Sequence, residues 1–136
     1  MATQPQVIAV IDDDPDVLKA TAKLLSALGY GTQTYSSANA FLASVGRDAA
    51  TCLIVDVELG TGRDNGFVLS CRLAAEGDDR PIIFMTARDD EMSRKLAARA
   101  GGVALLPKPF PLGLLIEALG KAGHPVVDGD HGASCK

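Results

Sequence analysis

The chain has 136 residues and carries 13 Lys and Arg against 17 Asp and Glu, a formal net charge of −4. That length supports one buried core and is short for two, and 47% hydrophobic with 22% charged residues excludes a disordered chain. The acidic balance argues against a phosphate-backbone partner, no apolar run approaches the roughly 20 residues of a membrane span, and four Phe, two Tyr and no Trp argue against a base-stacking platform.

In chain order, short apolar runs alternate with longer helical patterns, as in βαβ units built on a parallel sheet. The first strand is expected over Val7–Ile11. A helix follows, with Asp14 as its cap, Pro15 in its first position, Leu18, Thr21, Leu25 and Leu28 repeating on one face, and Gly29 as its stop. The second strand, Gly31–Tyr35, is the most polar and is assigned to a sheet edge. A helix over residues 37–45 leads to a strand at 52–55, then a helix over Gly66–Ala75 and a strand at 82–85. A helix over 90–100, a strand at 103–106 and a helix over 111–121 complete the pattern. Residues 1–121 are therefore expected to form one domain, with the Gly-rich, aperiodic stretch 122–136 as a flexible tail. Cys52, Cys71 and Cys135 form no C-x-x-C pair, and the opening residues lack a basic segment followed by an apolar one, which points to a reduced, cytoplasmic protein. His124 and His131 lie in the tail, far from any cysteine pair, so a zinc site has little support.

Ligands of open α/β sheets bind beyond the carboxyl ends of the strands. Past strand one stand Asp12, Asp13 and Asp14; past strand three, Asp56; past strand four, Thr86; past strand five, Lys108 and Pro109. Taken singly, each has a plain reading as a helix cap, a turn former or a solvated charge. Taken jointly they do not. With strands one and three adjacent, three carboxylates converge on one small volume and repel each other unless a cation joins them. Oxygen-only ligands select a hard ion, and a few carboxylates with remaining waters suit Mg²⁺ better than a Ca²⁺ cage. A Mg²⁺ flanked by a Lys ammonium and a Thr hydroxyl is a phosphoryl-binding set, and an unpaired carboxylate among them can act as nucleophile.

The motifs Val10-Ile11-Asp12-Asp13-Asp14, Leu53-Ile54-Val55-Asp56, Phe84-Met85-Thr86-Ala87 and Lys108-Pro109-Phe110 occur in order at spacings that resemble the response-regulator receiver domain, the phospho-acceptor module of two-component signalling. The resemblance covers residues 7–121. It implies a flavodoxin-like, doubly wound five-stranded parallel sheet in order 2-1-3-4-5 with helices on both faces. It implies Asp56 as phospho-acceptor, Asp13 and Asp56 as direct Mg²⁺ ligands, Asp12 acting through a bound water, and the Glu58 backbone carbonyl as a further ligand. Thr86 would hydrogen-bond the phosphoryl group, Lys108 would pair with it, and the Lys108–Pro109 bond would be cis.

The expected function is phosphorelay signalling: a histidine kinase or histidine phosphotransfer protein donates a phosphoryl group to Asp56, and the chain catalyses only its own phosphorylation and dephosphorylation. With no DNA-binding or enzymatic pattern after residue 121, output is expected through a protein contact on helix four, strand five and helix five, with no direct nucleic acid and no membrane. Two other classes stand beside it. A haloacid-dehalogenase-type phosphohydrolase would use Asp12-x-Asp14 as its D-x-D, although Pro15 and Asp16 follow where that family has other residues. A phosphorylation-independent, receiver-like adaptor would keep the pocket as a relic.

Two departures from the receiver pattern are visible. Gly66 stands ten positions after Asp56, about two more than is usual in the family, so the loop containing residues 60–66 is longer and glycine-rich. Leu105 stands where the family commonly has an aromatic ring that reports activation. Glu58 and Arg88, two residues past Asp56 and Thr86, are expected to face each other across the pocket mouth and restrict attacking water, with an opposite-charge pair and two solvated side chains as the alternative readings.

Overall fold

The computed structural model describes residues 6–59, 65–88 and 90–123. The expected tail beyond Gly123, with His124, His131 and Cys135, and loop residues 60–64 lie outside the described residues. Five parallel strands pair in the order β2-β1-β3-β4-β5, comprising β1 (Val7–Ile11), β2 (Gly31–Tyr35), β3 (Cys52–Asp56), β4 (Ile82–Thr86) and β5 (Gly102–Pro107). The polar β2 does lie at an edge. Three strands run slightly further than the apolar runs alone indicate, because pairing continues through Asp56↔Met85 and Thr86↔Pro107. The chemistry-bearing residues Asp56 and Thr86 are thus held by the sheet itself.

The helices are α1 (Pro15–Ala27), α2 (Ala38–Ala43), α3 (Gly66–Ala75), α4 (Glu91–Arg99) and α5 (Leu112–Lys121). Asp14 caps α1 by accepting from the Asp16 amide at 2.9 Å, Pro15 fills the first turn, and Gly29 takes the left-handed conformation, φ +96°, that ends it. The second helix is shorter than the expected 37–45. Ser37 caps it through the Ala40 amide at 3.0 Å, but Ser44 leaves the helical region at φ −75°, ψ 130°. The Ser44 hydroxyl bonds the Tyr35 phenol at 3.0 Å and accepts from the Gly46 amide at 3.2 Å, a local alternative to continuing the helix. Val45 is left fully exposed, and a single 3₁₀ turn, Arg47–Ala49, leads into β3.

Alternation along the strands divides the core in two. Ile8, Val10, Ile54, Ile83 and Met85 pack with Leu25 of α1 and Leu115 and Leu119 of α5. On the opposite face Ile11, Leu53, Val55 and Phe84 pack with Phe41 of α2, Leu69 and Leu73 of α3 and Ala97 of α4. Each such Leu or Phe removed from water contributes about 1.5–3 kcal/mol. With both faces of the central strands filled by hydrocarbon, the polar residues fall to the strand ends.

Candidate phosphoryl-acceptor site

The site stands on the carboxyl ends of β1, β3, β4 and β5. The register Ile11↔Val55 sets Asp12, the residue after β1, beside Asp56, the last residue of β3. The Asp12 amide bonds the Tyr35 carbonyl at 3.1 Å, which extends the hydrogen-bond ladder past the strand end. Asp12 is fully buried and Asp56 nearly so, whereas Asp13 is exposed. Carboxylate oxygens of the three lie within 4.8 Å of one another. Three acidic groups this close suit a hard divalent cation, and each offers only oxygen.

Lys108 supplies the opposing charge. Its amide bonds the Thr86 carbonyl at 2.8 Å, the Lys108–Pro109 bond is cis as expected, and its Nζ lies 3.1 Å from Asp12 Oδ2 and 3.2 Å from Asp56 Oδ1. Asp12 Oδ1 accepts from the Asp14 amide at 2.9 Å, so both Asp12 oxygens are engaged. Asp56 Oδ1 also accepts from the Glu58 amide at 3.1 Å. Burial, and then the Asp12 charge, push the Asp56 carboxyl up from 3.8 to about 6, against the Glu58 amide and Lys108, which lower it. At neutral pH Asp56 is therefore largely ionised and yet more basic than an ordinary aspartate. Burial works to depress the Lys108 ammonium, but its bonds and attraction to Asp12 and Asp56 outweigh that, and the net shift is upward.

Thr86, fully buried at the end of β4, stands one residue beyond the Asp56↔Met85 pair. Its Oγ1 lies 2.7 Å from Glu58 Oε2 and accepts from the Arg88 amide at 2.9 Å. Glu58 Oε1 accepts from the Ala87 amide at 3.1 Å. This corrects the expected Glu58–Arg88 pair. The glutamate instead turns inward onto Thr86 and Ala87, because a charge-assisted hydroxyl bond and a backbone N–H outcompete a solvent-exposed ion pair.

The sheet thus brings Asp12, Asp13, Asp56 and Lys108 together directly, while Thr86 joins through Glu58. The Ala87 amide is a site donor to which sequence reasoning assigned no role; the small residue after Thr86 was the available signal. The described residues flanking the loop are tied together at the base of the site, for the Gly66 amide bonds the Val57 carbonyl at 2.9 Å, and a Cβ on Gly66 would stand 2.5 Å from the Asp56 carbonyl oxygen. Only glycine lets the start of α3 approach the acceptor strand so closely.

Comparison with known proteins gives a consistent picture. Residues 8–120 match the family model described as the response regulator receiver domain. The chain is 37% identical over 110 residues to the response regulator protein TmoT of Ectopseudomonas mendocina, covering 81% of this chain and 49% of that protein. It is 35% identical over 105 residues to the response regulator MprA of Mycobacterium leprae, covering 77% of this chain and 45% of that protein. The chain spans about half the length of these curated relatives. Among solved structures, a response regulator receiver protein from Burkholderia phymatum aligns with a TM-score of 0.74 at 35% identity, covering 87% of this chain and 95% of that one. One from Pseudoalteromonas atlantica aligns with a TM-score of 0.77 at 28% identity, covering 85% and 95%.

Proposed function

The chain belongs to the response regulator receiver domain family, the phospho-accepting module of two-component phosphorelay signalling, and from that premise we propose that Asp56 is its phospho-acceptor. The observation that carries this reading is the buried Asp56 carboxylate at the end of a central strand, 3.2 Å from Lys108 Nζ and clustered with Asp12 and Asp13. An ionised Asp56 oxygen attacks the phosphorus of a phosphohistidine on a kinase or phosphotransfer partner. The new P–O bond forms as the P–N bond breaks, and the departing imidazole keeps the electron pair and takes up a proton. Lys108 holds negative charge developing on the phosphoryl oxygens, and Thr86 and the Ala87 amide donate hydrogen bonds to them. Water later hydrolyses the acyl phosphate, which returns the carboxylate and releases phosphate.

The donor set fits Mg²⁺: Asp13 and Asp56 as direct ligands, Asp12 through a water, and the Glu58 carbonyl. Bound there, the ion would offset the charge brought together when a phosphoryl group meets these carboxylates. The catalysis lies on the chain itself, so the domain is a switch and not a turnover enzyme. Residues 1–121 are read as the receiver and 122–136 as a tail. No helix of the described residues is long and apolar enough to cross a membrane. For output, exposed Met92 and Leu96 on α4 and Leu112 and Leu114 on α5 support a protein contact on the α4–β5–α5 face, without direct nucleic-acid binding by this domain. The haloacid-dehalogenase and adaptor alternatives are not favoured by the family relationship.

The test is labelling with acetyl phosphate or phosphoramidate in Mg²⁺, read by intact mass. Addition of one phosphoryl group supports the reading. Absence of labelling under conditions that label another receiver removes it.

A further inference from the structure

We infer that the Glu58 side chain is an internal occupant of the seat into which the phosphoryl oxygens must fit, and that it must leave before Asp56 can be modified. The inference rests on the assignment of Asp56 as acceptor and adds a step to it. Glu58 straddles the acceptor: its amide donates to Asp56 Oδ1 at 3.1 Å, while its carboxylate reaches across to β4. There Oε2 takes the Thr86 hydroxyl at 2.7 Å and Oε1 takes the Ala87 amide at 3.1 Å. Two oxygens of one planar anion thus satisfy the donors that two phosphoryl oxygens would use.

Competition follows from counting protons. Thr86 has one hydroxyl hydrogen, and its Oγ1 already accepts from the Arg88 amide at 2.9 Å. The alternative acceptor within reach, the Arg88 carbonyl, lies further off at 3.2 Å, and it is neutral, so the shorter bond to the carboxylate dominates. A phosphoryl group can take that hydrogen only when Glu58 gives it up. The Ala87 amide has likewise one hydrogen to offer. Repulsion adds to this, since a carboxylate and a phosphoryl group cannot share such a volume without a large electrostatic cost. Glu58 is an exposed residue, so release into water is open to it. An unmodified chain thereby keeps Thr86 and the Ala87 amide in a satisfied, anion-bound arrangement, and modification exchanges one anion for another. Glu58 is a positioning residue here, acting through Thr86 and Ala87.

The experiment titrates the full chain in Mg²⁺ with beryllofluoride, a tetrahedral phosphoryl stand-in that coordinates a carboxylate oxygen, and follows backbone amide resonances including that of Ala87. Wild type is compared with Glu58→Gln, Glu58→Ala and Asp56→Asn. Losing one charge-assisted competitor lowers half-saturation roughly tenfold in both Glu58 variants, a gain that a merely structural role would not produce, and the unliganded Ala87 amide resonance moves in both because its carboxylate acceptor is lost. Wild type saturating while the Glu58 variants show the same half-saturation overturns the occupant and leaves Asp56 as acceptor. Failure of wild type to bind, or undiminished binding by Asp56→Asn, overturns the acceptor assignment and the inference with it.

Discussion

Asp56 is held between opposing influences, and its balance is measurable. Burial and the Asp12 charge raise its pKa to about 6, so the folded chain keeps a proton there at pH values where the unfolded chain has lost it. Between about pH 4 and pH 6 the native state binds more protons, and stability falls as pH rises through that window. In metal-free buffer at pH 7.5, Asp56→Asn is therefore expected to be more stable than wild type by about 1–3 kcal/mol. Urea melts at pH 7.5 and pH 4 check this, since the gap closes at the lower pH. The same variant loses acid-stable, base-labile phosphoryl incorporation, and undiminished labelling by intact mass refutes Asp56 as nucleophile. For the metal, Asp13→Ala is expected to shrink the rise in Tm that Mg²⁺ produces, while raising the metal-free Tm by relieving repulsion of Asp12 and Asp56. An unchanged Mg²⁺ shift in the variant removes Asp13 from the ligand set.

Elements carry the site because strand ends and helix starts are tied to each other. The Gly66 amide bonds the carbonyl of Val57, and there is no space for a Cβ against the Asp56 carbonyl oxygen. Gly66→Ala is expected to cost about 1–3 kcal/mol, as forced overpacking does, and to slow acetyl-phosphate labelling because β3 must shift under its acceptor. Equal stability by chemical denaturation together with equal labelling would show that the α3 start moves freely of the site. The opposite lesson comes from α2, where nothing in the hydrophobic pattern marks Ser44 as an end. Its hydroxyl stops the helix through Tyr35, a partner nine residues earlier on β2.

At the scale of the molecule, the site must be coupled to a surface without an aromatic ring at position 105. Leu105 is partly buried against the cluster that contains Phe84 and Ala97, and it is paired in register with Phe84. A leucine there can repack but has no ring to alternate between a buried slot and a partner. Under the proposed function, coupling would rest on the differential contacts of Thr86 and Lys108 with a phosphoryl group. Both lead directly into elements of the α4–β5–α5 face, through the loop before α4 and the turn after β5. Hydrogen exchange with and without beryllofluoride is expected to change over residues 86–91 and 103–112. Changes confined to residues 60–66 would make the longer loop the output element instead.

Much of this protein was written in local sequence. Four apolar runs and the more polar edge strand, the Asp14-Pro15 start and Gly29 stop of α1, and the placing of Asp12, Asp13, Asp56, Thr86 and Lys108 at or just past the strand ends could all be read because strand burial and helix capping act over a few residues. The sheet order followed from the family resemblance, since pairing between distant runs leaves no local mark. What tertiary structure alone decided is how side chains choose among partners: Glu58 turned onto Thr86 and Ala87 and not toward Arg88, Ser44 onto Tyr35, and Lys108 between Asp12 and Asp56. Each choice compares hydrogen-bond donors and charges brought from separate strands, and their relative strengths depend on burial and distance, which exist only once the sheet has formed.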